Sequence, residues 1–289
     1  MEPKSRRVAG SNGIDLHLLE WSQEGVPLVL VHGFGNDAHI WDDFAPVAAP
    51  HYRVLALDLR GHGDSAWPLH AEYEYAHHVA DLEAVLNGLG IERLVLVGHS
   101  LGGRVAMLFA GAHPERMAGL VIVDSAPELD VRGTTRIQLD VGEHKDPSFG
   151  NVAEYESMLL HAYPEAQPHT IKRMARHGLR PRDDGRLVLK MDPALRGAVA
   201  QSATPEERAA YDEQIRAELW QALEKVTCPT LVVRGAASDI MSADVADRMV
   251  EDSLAQGHLA VVPRAGHSVM TDNPDGFRDA MAEFILGEG

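Results

Sequence analysis

Short apolar runs recur along the first part of the chain, and each one ends in a polar or glycine-rich loop. Their continuity predicts strands that are buried on both faces, at residues 27–31, 53–57, 94–97 and 119–123. Ile14–Trp21 largely alternates apolar and polar positions, which predicts a half-buried strand. A helix between two of the runs presents one apolar face, formed by Val79, Leu82, Leu86 and Leu89. This succession of strand, loop and helix is typical of a parallel sheet with right-handed crossovers.

The pattern changes over residues 126–226, where no comparable buried run occurs. Asn151–His161 begins with a helix-capping residue and is predicted to be helical. Asp183-Asp184-Gly185 has the turn chemistry of a small hairpin. Thr204-Pro205-Glu206-Glu207 combines a cap, a first-turn proline and a capping glutamate, so it predicts the start of another helix. We therefore predict a mainly helical insertion.

The strand-and-helix pattern resumes after the insertion. Residues 230–233 and 259–262 are predicted strands, and residues 243–254 between them are predicted to be helical. An amphipathic helix closes the chain. The prediction is thus a sheet domain formed by residues 1–125 and 227–289, interrupted by the insertion.

The run at residues 94–97 leads into Gly98-His99-Ser100-Leu101-Gly102, which has the pattern G-x-S-x-G. In this pattern a strand turns sharply into a helix and presents the serine at the apex. The glycines avoid collisions with the neighbouring strand and helix. The N–H groups at the start of the helix point towards negative charge that forms beside the serine hydroxyl. Taken alone, the pattern also fits an ordinary glycine-rich turn.

Composition narrows the classes of function. The chain has 289 residues, 45% of them apolar, which is enough for one large domain or a domain with an insertion. Its net charge of −17 would repel phosphate backbones and anionic lipid surfaces, so we expect no nucleic-acid or membrane partner. No segment has the pattern of a signal peptide or a membrane span. Cys228 is the single cysteine, which fits a reducing cytoplasm. We expect a cytoplasmic protein that acts on a small molecule; the sequence does not indicate its oligomeric state.

Cofactor sites are not indicated either. The 16 histidines are scattered, and the adjacent pair His77-His78 lacks the spacing of metal ligands. No lysine follows the glycine-rich loops, as a phosphate-binding loop would require. We therefore expect neither a metal nor an organic cofactor.

The order of the motifs resembles the α/β-hydrolase superfamily, in the form that has a helical cap inserted in the sheet. The resemblance covers nearly the whole chain and is carried by five segments, at residues 32–35 (His-Gly-Phe-Gly), 58–65, 98–103, 234–239 and 265–267 (Ala-Gly-His). It implies an α/β fold with an eight-stranded, mostly parallel sheet, helices on both faces, and a mainly helical cap over residues 126–226.

The resemblance also implies a catalytic triad. Ser100 would be the nucleophile, because a hydroxyl becomes reactive when a base removes its proton. His267 would be that base, since it follows the last predicted strand and an imidazole can cycle near neutral pH. Asp239 is the acid that we expect to orient His267, because the order serine, acid, histidine matches the family. Asp124 is the alternative, since it ends the strand after the elbow helix, where some family members place their acid.

Backbone N–H groups of Phe34 and Leu101 would form the oxyanion hole. His32 and His99 are expected to hold loops through hydrogen bonds, and the same is expected of Asp58, Arg60 and Asp64. A serine nucleophile excludes the alkyl-ester chemistry that carboxylate nucleophiles perform on this fold. It favours hydrolysis of a small carboxylic ester or lactone. Cleavage of a C–C bond in a diketone, thioester hydrolysis and a cofactor-free lyase reaction are the alternatives on the same fold, and a non-catalytic ligand receptor is a remote one.

The insertion contains one local excess of positive charge. Residues 172–190 hold seven basic and two acidic side chains, a balance of +5 in an otherwise acidic protein. The simpler interpretation is a solvated surface paired with acidic neighbours. The functional interpretation is that Arg173, Arg176 or Arg180 binds a carboxylate or phosphate group of the substrate above the serine.

Overall fold

The computed structural model describes residues 2–143, 147–196 and 204–287. Its strands are Lys4–Ala9 (β1), Asp15–Glu20 (β2), Val26–Val31 (β3), Tyr52–Leu57 (β4), Leu94–His99 (β5), Met117–Val123 (β6), Ser148–Phe149 (β7), Leu179–Pro181 (β8), Leu187–Leu189 (β9), Thr230–Gly235 (β10) and Gly257–Val262 (β11). Its helices are Ala45–Ala48 (α1), Tyr75–Gly88 (α2), Leu101–Ala112 (α3), Val131–Glu143 (α4), Val152–Ala162 (α5), Pro168–His177 (α6), Pro205–Lys225 (α7), Ala243–Arg248 (α8), Val269–Asp272 (α9) and Pro274–Leu286 (α10).

Eight strands form one sheet in the order β1-β2-β4-β3-β5-β6-β10-β11. The six strands from β4 to β11 run parallel, whereas β2 is antiparallel to both β1 and β4. The predicted eight-stranded, mostly parallel sheet is therefore confirmed. Because parallel strands end at the same edge, the segments that follow β3, β5, β6, β10 and β11 converge there.

Helices cover both faces of the sheet, as predicted. One apolar layer packs the sheet against α2, α3 and α7, with Leu82, Phe109 and Leu219 among its buried side chains. The other layer packs it against the 3₁₀ turn Ala38–Trp41 and against α1, α9 and α10. Alternate side chains of the parallel strands therefore enter two different cores, which explains their continuous apolar sequence. No helix in the described ranges is both long and apolar enough to cross a membrane.

The segment between β6 and β10 includes the helices α4 to α7 and a small sheet of three strands in the order β7-β9-β8. The predicted hairpin is β8–β9, whose turn places Gly185 at φ +81°. Asn151 caps α5 by accepting a hydrogen bond from the Glu154 N–H, and Thr204 forms a capping box with Glu207 at the start of α7. The capping residues that the sequence indicates thus begin both helices.

Helix α7 packs on the sheet domain rather than standing apart from it. Its side chains Ile215, Leu219 and Leu223 belong to the same buried layer as α3. A Cβ atom at Gly111 of α3 would lie only 2.6 Å from the Cα of Ala222, so the two helices meet at that glycine. The predicted insertion boundaries, residues 126 and 226, therefore enclose one helix that belongs structurally to the sheet domain.

Candidate active site

Ser100 lies at a sharp turn between β5 and α3. Its backbone has φ 52° and ψ −115°, a conformation that is strained for a residue with a side chain. The turn is possible because a Cβ atom at Gly98 would overlap the backbone of Gly102, and one at Gly102 would overlap the backbone of Val31 and His32. The strain lifts the serine side chain out of the strand-to-helix junction, as the G-x-S-x-G pattern predicts.

His267 lies between Ser100 and a buried carboxylate. Its Nε2 is 2.9 Å from Ser100 Oγ, and its Nδ1 is 2.8 Å from Asp124 Oδ2. The Asp124 side chain is fully buried, whereas the imidazole is 13% exposed. Hydroxyl, imidazole and carboxylate thus form one continuous hydrogen-bonded chain.

Asp124 comes directly after β6, the neighbour of β5 in the sheet, and adopts φ 42°. The Gly235 N–H donates to its Oδ1 at 3.0 Å, and the Ser238 hydroxyl donates to its Oδ2 at 2.6 Å. Both donors come from the end of β10 and the loop after it. Three hydrogen bonds, including the one to His267, therefore compensate for the burial of this carboxylate.

The expectation that Asp239 orients His267 is wrong in this structure. The Asp239 carboxylate receives two hydrogen bonds from the Arg136 guanidinium, at 2.7 and 3.0 Å. These bonds lower the pKa of Asp239. The reason lies one residue earlier. Ser238 Oγ accepts from the N–H groups of Ile240 and Met241, so the loop turns around Ser238 and directs Asp239 towards α4.

Ser238 is the site residue that the sequence analysis missed. A serine beside an acidic residue after a strand is common, so its hydroxyl carries no distinctive signal. The sequence does contain an indication of which acid contacts His267. Asp124 directly follows a buried strand, and a polar residue in that position lies at the same sheet edge as Ser100.

The two predicted oxyanion donors flank the serine. Phe34 follows β3, and Leu101 begins α3; neither N–H donates a hydrogen bond to any described residue. A Cβ atom at Gly33 would lie 3.0 Å from Ser100 Cβ, which places the loop after β3 directly against the serine. Both N–H groups are therefore available to an oxygen that develops negative charge there.

His32 fixes the peptide unit that carries the Phe34 N–H. Its Nε2 accepts from the Leu59 N–H at 3.0 Å, so its Nδ1 holds the proton and donates to the Gly33 carbonyl at 2.7 Å. Burial lowers the pKa of His32, which keeps the ring neutral. Because the carbonyl and the following N–H point in opposite directions in a trans peptide, this bond sets the direction of the Phe34 N–H. The ring supports a loop through hydrogen bonds, as the sequence analysis expected.

The insertion meets the loop after β3 through apolar side chains. Phe34 packs against the buried cluster of the insertion, which includes Tyr155, Leu159 and Met191. The ring of His62, a buried residue, lies edge-on to the Phe34 ring, with centroids 5.9 Å apart. Phe34 is therefore anchored by apolar side chains of the insertion and by the His62 ring.

Two of the three arginines that could bind an anionic group of the substrate have partners within the chain. Arg173 donates to both carboxylate oxygens of Asp43, at 2.9 and 2.7 Å. Burial alone would raise the pKa of Asp43, but the hydrogen bonds from Arg173 lower it. The guanidinium of Arg180 stacks on the Trp67 ring at 3.9 Å, and Arg176 is exposed. Arg173 and Arg180 are therefore engaged by residues of this chain, whereas Arg176 faces solvent.

We expect Arg173→Ala to reduce stability rather than substrate affinity. The Arg173 side chain is 12% exposed, and its loss leaves Asp43 without its strongest partner. The free energy of unfolding, measured with urea, should fall by about 1–3 kcal/mol. The exposed Arg176→Ala variant is the control and should change it by less than about 0.5 kcal/mol. A rise in KM that is confined to negatively charged substrates would instead restore Arg173 as an anion-binding residue.

Other polar residues of the motifs have structural partners. Asp58 accepts from the Ala38 N–H at 2.6 Å and from His17 Nδ1 at 2.7 Å. Arg60 binds Asp81 through two bonds of 2.7 and 2.8 Å. Asp64 pairs with Lys190 of the insertion at 2.8 Å. His17, Asp58 and Asp64 lie close enough together to bind one metal ion. Their candidate ligand atoms already have partners, because His17 contacts Asp58 and Asp64 pairs with Lys190.

Comparison with known proteins identifies the fold independently. The family model described as alpha/beta hydrolase fold matches residues 26–153. The chain is 31% identical over 295 residues to the dihydrolipoyllysine-residue acetyltransferase component of an acetoin cleaving system from Pseudomonas putida, covering 98% of this chain and 69% of that one. It is 28% identical over 278 residues to an esterase of Mycobacterium tuberculosis, covering 93% and 84%. The crystal structure of E-2-(acetamidomethylene)succinate hydrolase superposes with a TM-score of 0.83 at 26% identity, covering 98% and 99%.

Proposed function

This chain belongs to the alpha/beta hydrolase fold family and is a hydrolase, and we propose that it cleaves a small carboxylic ester or lactone through an acyl-enzyme formed on Ser100. The observation that carries the proposal is the continuous contact from Ser100 Oγ through His267 to the buried Asp124. This arrangement has the geometry of a nucleophile, a general base and an orienting acid.

In the acylation step, His267 Nε2 removes the proton of the Ser100 hydroxyl while the oxygen attacks the substrate carbonyl. The carbonyl π electrons move onto its oxygen and form a tetrahedral intermediate. The intermediate collapses as the bond to the leaving alkoxide breaks, and His267 gives its proton to that oxygen. An alcohol leaves, and the acyl group remains on Ser100. For a lactone, the alcohol stays attached as the far end of the acyl chain.

Deacylation repeats these steps with water as the nucleophile. His267 takes a proton from the water, the resulting hydroxide attacks the acyl carbon, and the bond to Ser100 Oγ breaks as the proton returns to that oxygen. Asp124 accepts the Nδ1–H of His267 throughout, which fixes the tautomer and stabilises the imidazolium in both halves of the reaction. Water is the co-reactant, and the products are one carboxylic acid and one alcohol.

The transition states would be stabilised mainly by the two backbone donors. The oxyanion lies within reach of the Phe34 and Leu101 N–H groups, and one such donor is typically worth about 10²- to 10³-fold in kcat. Leu101 also begins α3, whose positive N-terminal dipole favours the same negative charge. Both donors are already oriented by the fold, so they cost little reorganisation when charge develops.

The substrate class follows from the surface around Phe34. The Phe34 ring, which is partly buried against the apolar cluster of the insertion, offers an apolar contact to an uncharged acyl group. The pairing of Arg173 with Asp43 removes its preference for a free carboxylate. We therefore infer a small, uncharged, mainly apolar acyl group.

A fluorophosphonate probe and a substrate panel test the proposal. We expect one covalent label per chain, located on Ser100 by peptide mass spectrometry, and the highest kcat/KM on short acyl esters or lactones. Labelling combined with preferred turnover of a vinylogous diketone or a thioester would keep the nucleophile but replace the ester as substrate. The absence of both labelling and turnover in folded protein would overturn the proposal.

A further inference from the structure

His99 ends β5 and precedes Ser100 directly. It shares its strand face with Val95 and Val97, which pack into the layer against α1, α9 and α10, and its side chain is only 1% exposed. Because alternate residues of a strand share one face, the His99 imidazole lies underneath the loop that holds His267. The two rings lie with centroids 4.9 Å apart and planes inclined by 38°.

The hydrogen bonds of His99 identify its tautomer. Nε2 is 2.9 Å from the main-chain carbonyl oxygen of His267, which can only accept. Nδ1 is buried and has no partner among the described residues. It faces Gly33, where a Cβ atom would lie 2.7 Å away. The proton of the neutral ring is therefore on Nε2, and it is donated to His267.

Several hydrogen bonds hold the loop that contains His267, and they attach to different residues of that loop. Asp272 accepts the Gly266 N–H at 2.8 Å, and the Ala237 N–H donates to the Ala265 carbonyl at 2.9 Å. Both bonds hold residues that precede the histidine. The bond from His99 is the hydrogen bond, among the described residues, that reaches the main chain of His267 itself.

On the basis of the proposed function, we propose that His99 is a positioning residue for His267: its Nε2–H holds the His267 carbonyl and thereby keeps the imidazole aligned with both Ser100 and Asp124. The consequence is geometric. A shift of about 1 Å in a catalytic group can cost about 100-fold in rate. His267 must satisfy two distances near 2.9 Å at once, so a displaced main chain loses one of them.

The electrostatics of the site agree with this role. Burial, and then the nearby charge of His267, lower the pKa of His99 to about 3. The ring therefore remains a neutral donor while His267 becomes positively charged in the reaction. A ring that gained its own proton would repel the imidazolium across this short separation.

The test compares two replacements of His99. In His99→Met the side chain fills the space without a donor, whereas in His99→Gln the amide N–H can reach the same carbonyl. The kcat is calculated per molecule that a fluorophosphonate can label. We expect His99→Met to lower this kcat by about 10- to 100-fold and to change KM by less than about threefold. The acid limb of its kcat/KM profile should also move. His99→Gln should recover most of the kcat. Normalising to reactive sites removes any loss of folded protein.

His78→Met is the matched control. His78 lies on α2 and is equally buried, and its ring nitrogens have no partners in the described part of the chain, so it makes no hydrogen bond to Ser100, Asp124 or His267. Its replacement should leave kcat and the pH profile unchanged. If His99→Met behaved like this control, His99 would serve packing alone, and the positioning role would be overturned.

A measurement without substrate separates this inference from the proposed function. With ¹⁵N-labelled histidine, NMR should show His99 as a neutral ring protonated on Nε2 from pH 5 to 9, and the His267 ring signals should shift in His99→Met. A His99 ring that titrates within that range would overturn the positioning role even if the enzyme hydrolyses esters. Failure of every acyl substrate would overturn the proposed function and leave this result standing.

Discussion

Replacing Ser100 with alanine should abolish turnover and leave the fold intact. Alanine fits the strained turn as well as serine does, because the strain resides in the backbone at φ 52° and in the close approach of Gly98 and Gly102. What disappears is the oxygen that would form the acyl-enzyme. Loss of the nucleophile of a working triad costs about 10⁴- to 10⁶-fold in kcat, so this variant should show the largest effect of any single substitution in the chain.

The measurement is kcat on the best substrate of the panel, with protein purified on resin that has never carried the wild type. Circular dichroism and thermal unfolding should match the wild type, and the fluorophosphonate label should be absent. Retention of more than a few per cent of the activity would exclude Ser100 as the nucleophile. Loss of activity together with loss of the folded signal would point to the turn rather than to the chemistry, and Ser100→Cys would then be the second variant to compare.

Most of the parallel strands were predictable because both of their faces are buried, whereas the edge strand β11 is partly exposed and was predicted from its apolar sequence alone. Continuous apolar runs mark β3, β4, β5, β6, β10 and β11, and each predicted segment lies within the observed strand. The edge strand β1 was missed. Its sequence Lys-Ser-Arg-Arg-Val-Ala is polar and largely exposed, and it pairs with a single neighbour. Charged edge strands of this kind avoid the apolar pattern on which sequence prediction depends.

Strand β2 shows a different limit. The alternation of apolar and polar residues predicts one solvent-exposed face, but five of the six residues of β2 are buried. Its two buried polar side chains, His17 and Glu20, lie on opposite faces of the strand, and both have distant partners. His17 contacts Asp58 at 2.7 Å, and Glu20 pairs with Arg6 and with Arg53. Local periodicity cannot show that residues from other elements will cover a polar side chain and satisfy it.

The contact between Ser100 and His267, the proposed nucleophile and base, was predictable for a local reason. The glycine spacing around Ser100 and the position of His267 after the last strand are features of short segments. The choice of acid depends on how the loop after β10 folds, which is decided by the hydrogen bonds that Ser238 makes with Asp124, Ile240 and Met241. No property of Asp239 itself reveals that Arg136, more than 100 residues earlier, will bind it.

The acid therefore provides the second large prediction. Asp124→Asn should lower kcat by about 10²- to 10⁴-fold. The Gly235 N–H must still be accepted by the amide oxygen, so the amide NH₂ faces Ser238 and His267. His267 Nδ1 then becomes the acceptor, and the ring proton moves to Nε2. A protonated Nε2 cannot take the proton of Ser100, which leaves the serine unactivated while the fold is preserved.

Asp239→Asn is the matched control, since it makes the same chemical change on the carboxylate that the family order favours. Its pair with Arg136 is 32% and 44% exposed on the two sides, so its loss should change stability by no more than about 1 kcal/mol. Its kcat should stay within about twofold of the wild type, because Asp239 touches neither Ser100 nor His267 in this structure. The deciding measurements are kcat and urea unfolding for both variants. A large loss of kcat in Asp239→Asn, with near-normal activity in Asp124→Asn, would return the acid role to Asp239. The loop after β10 would then have to rearrange during catalysis.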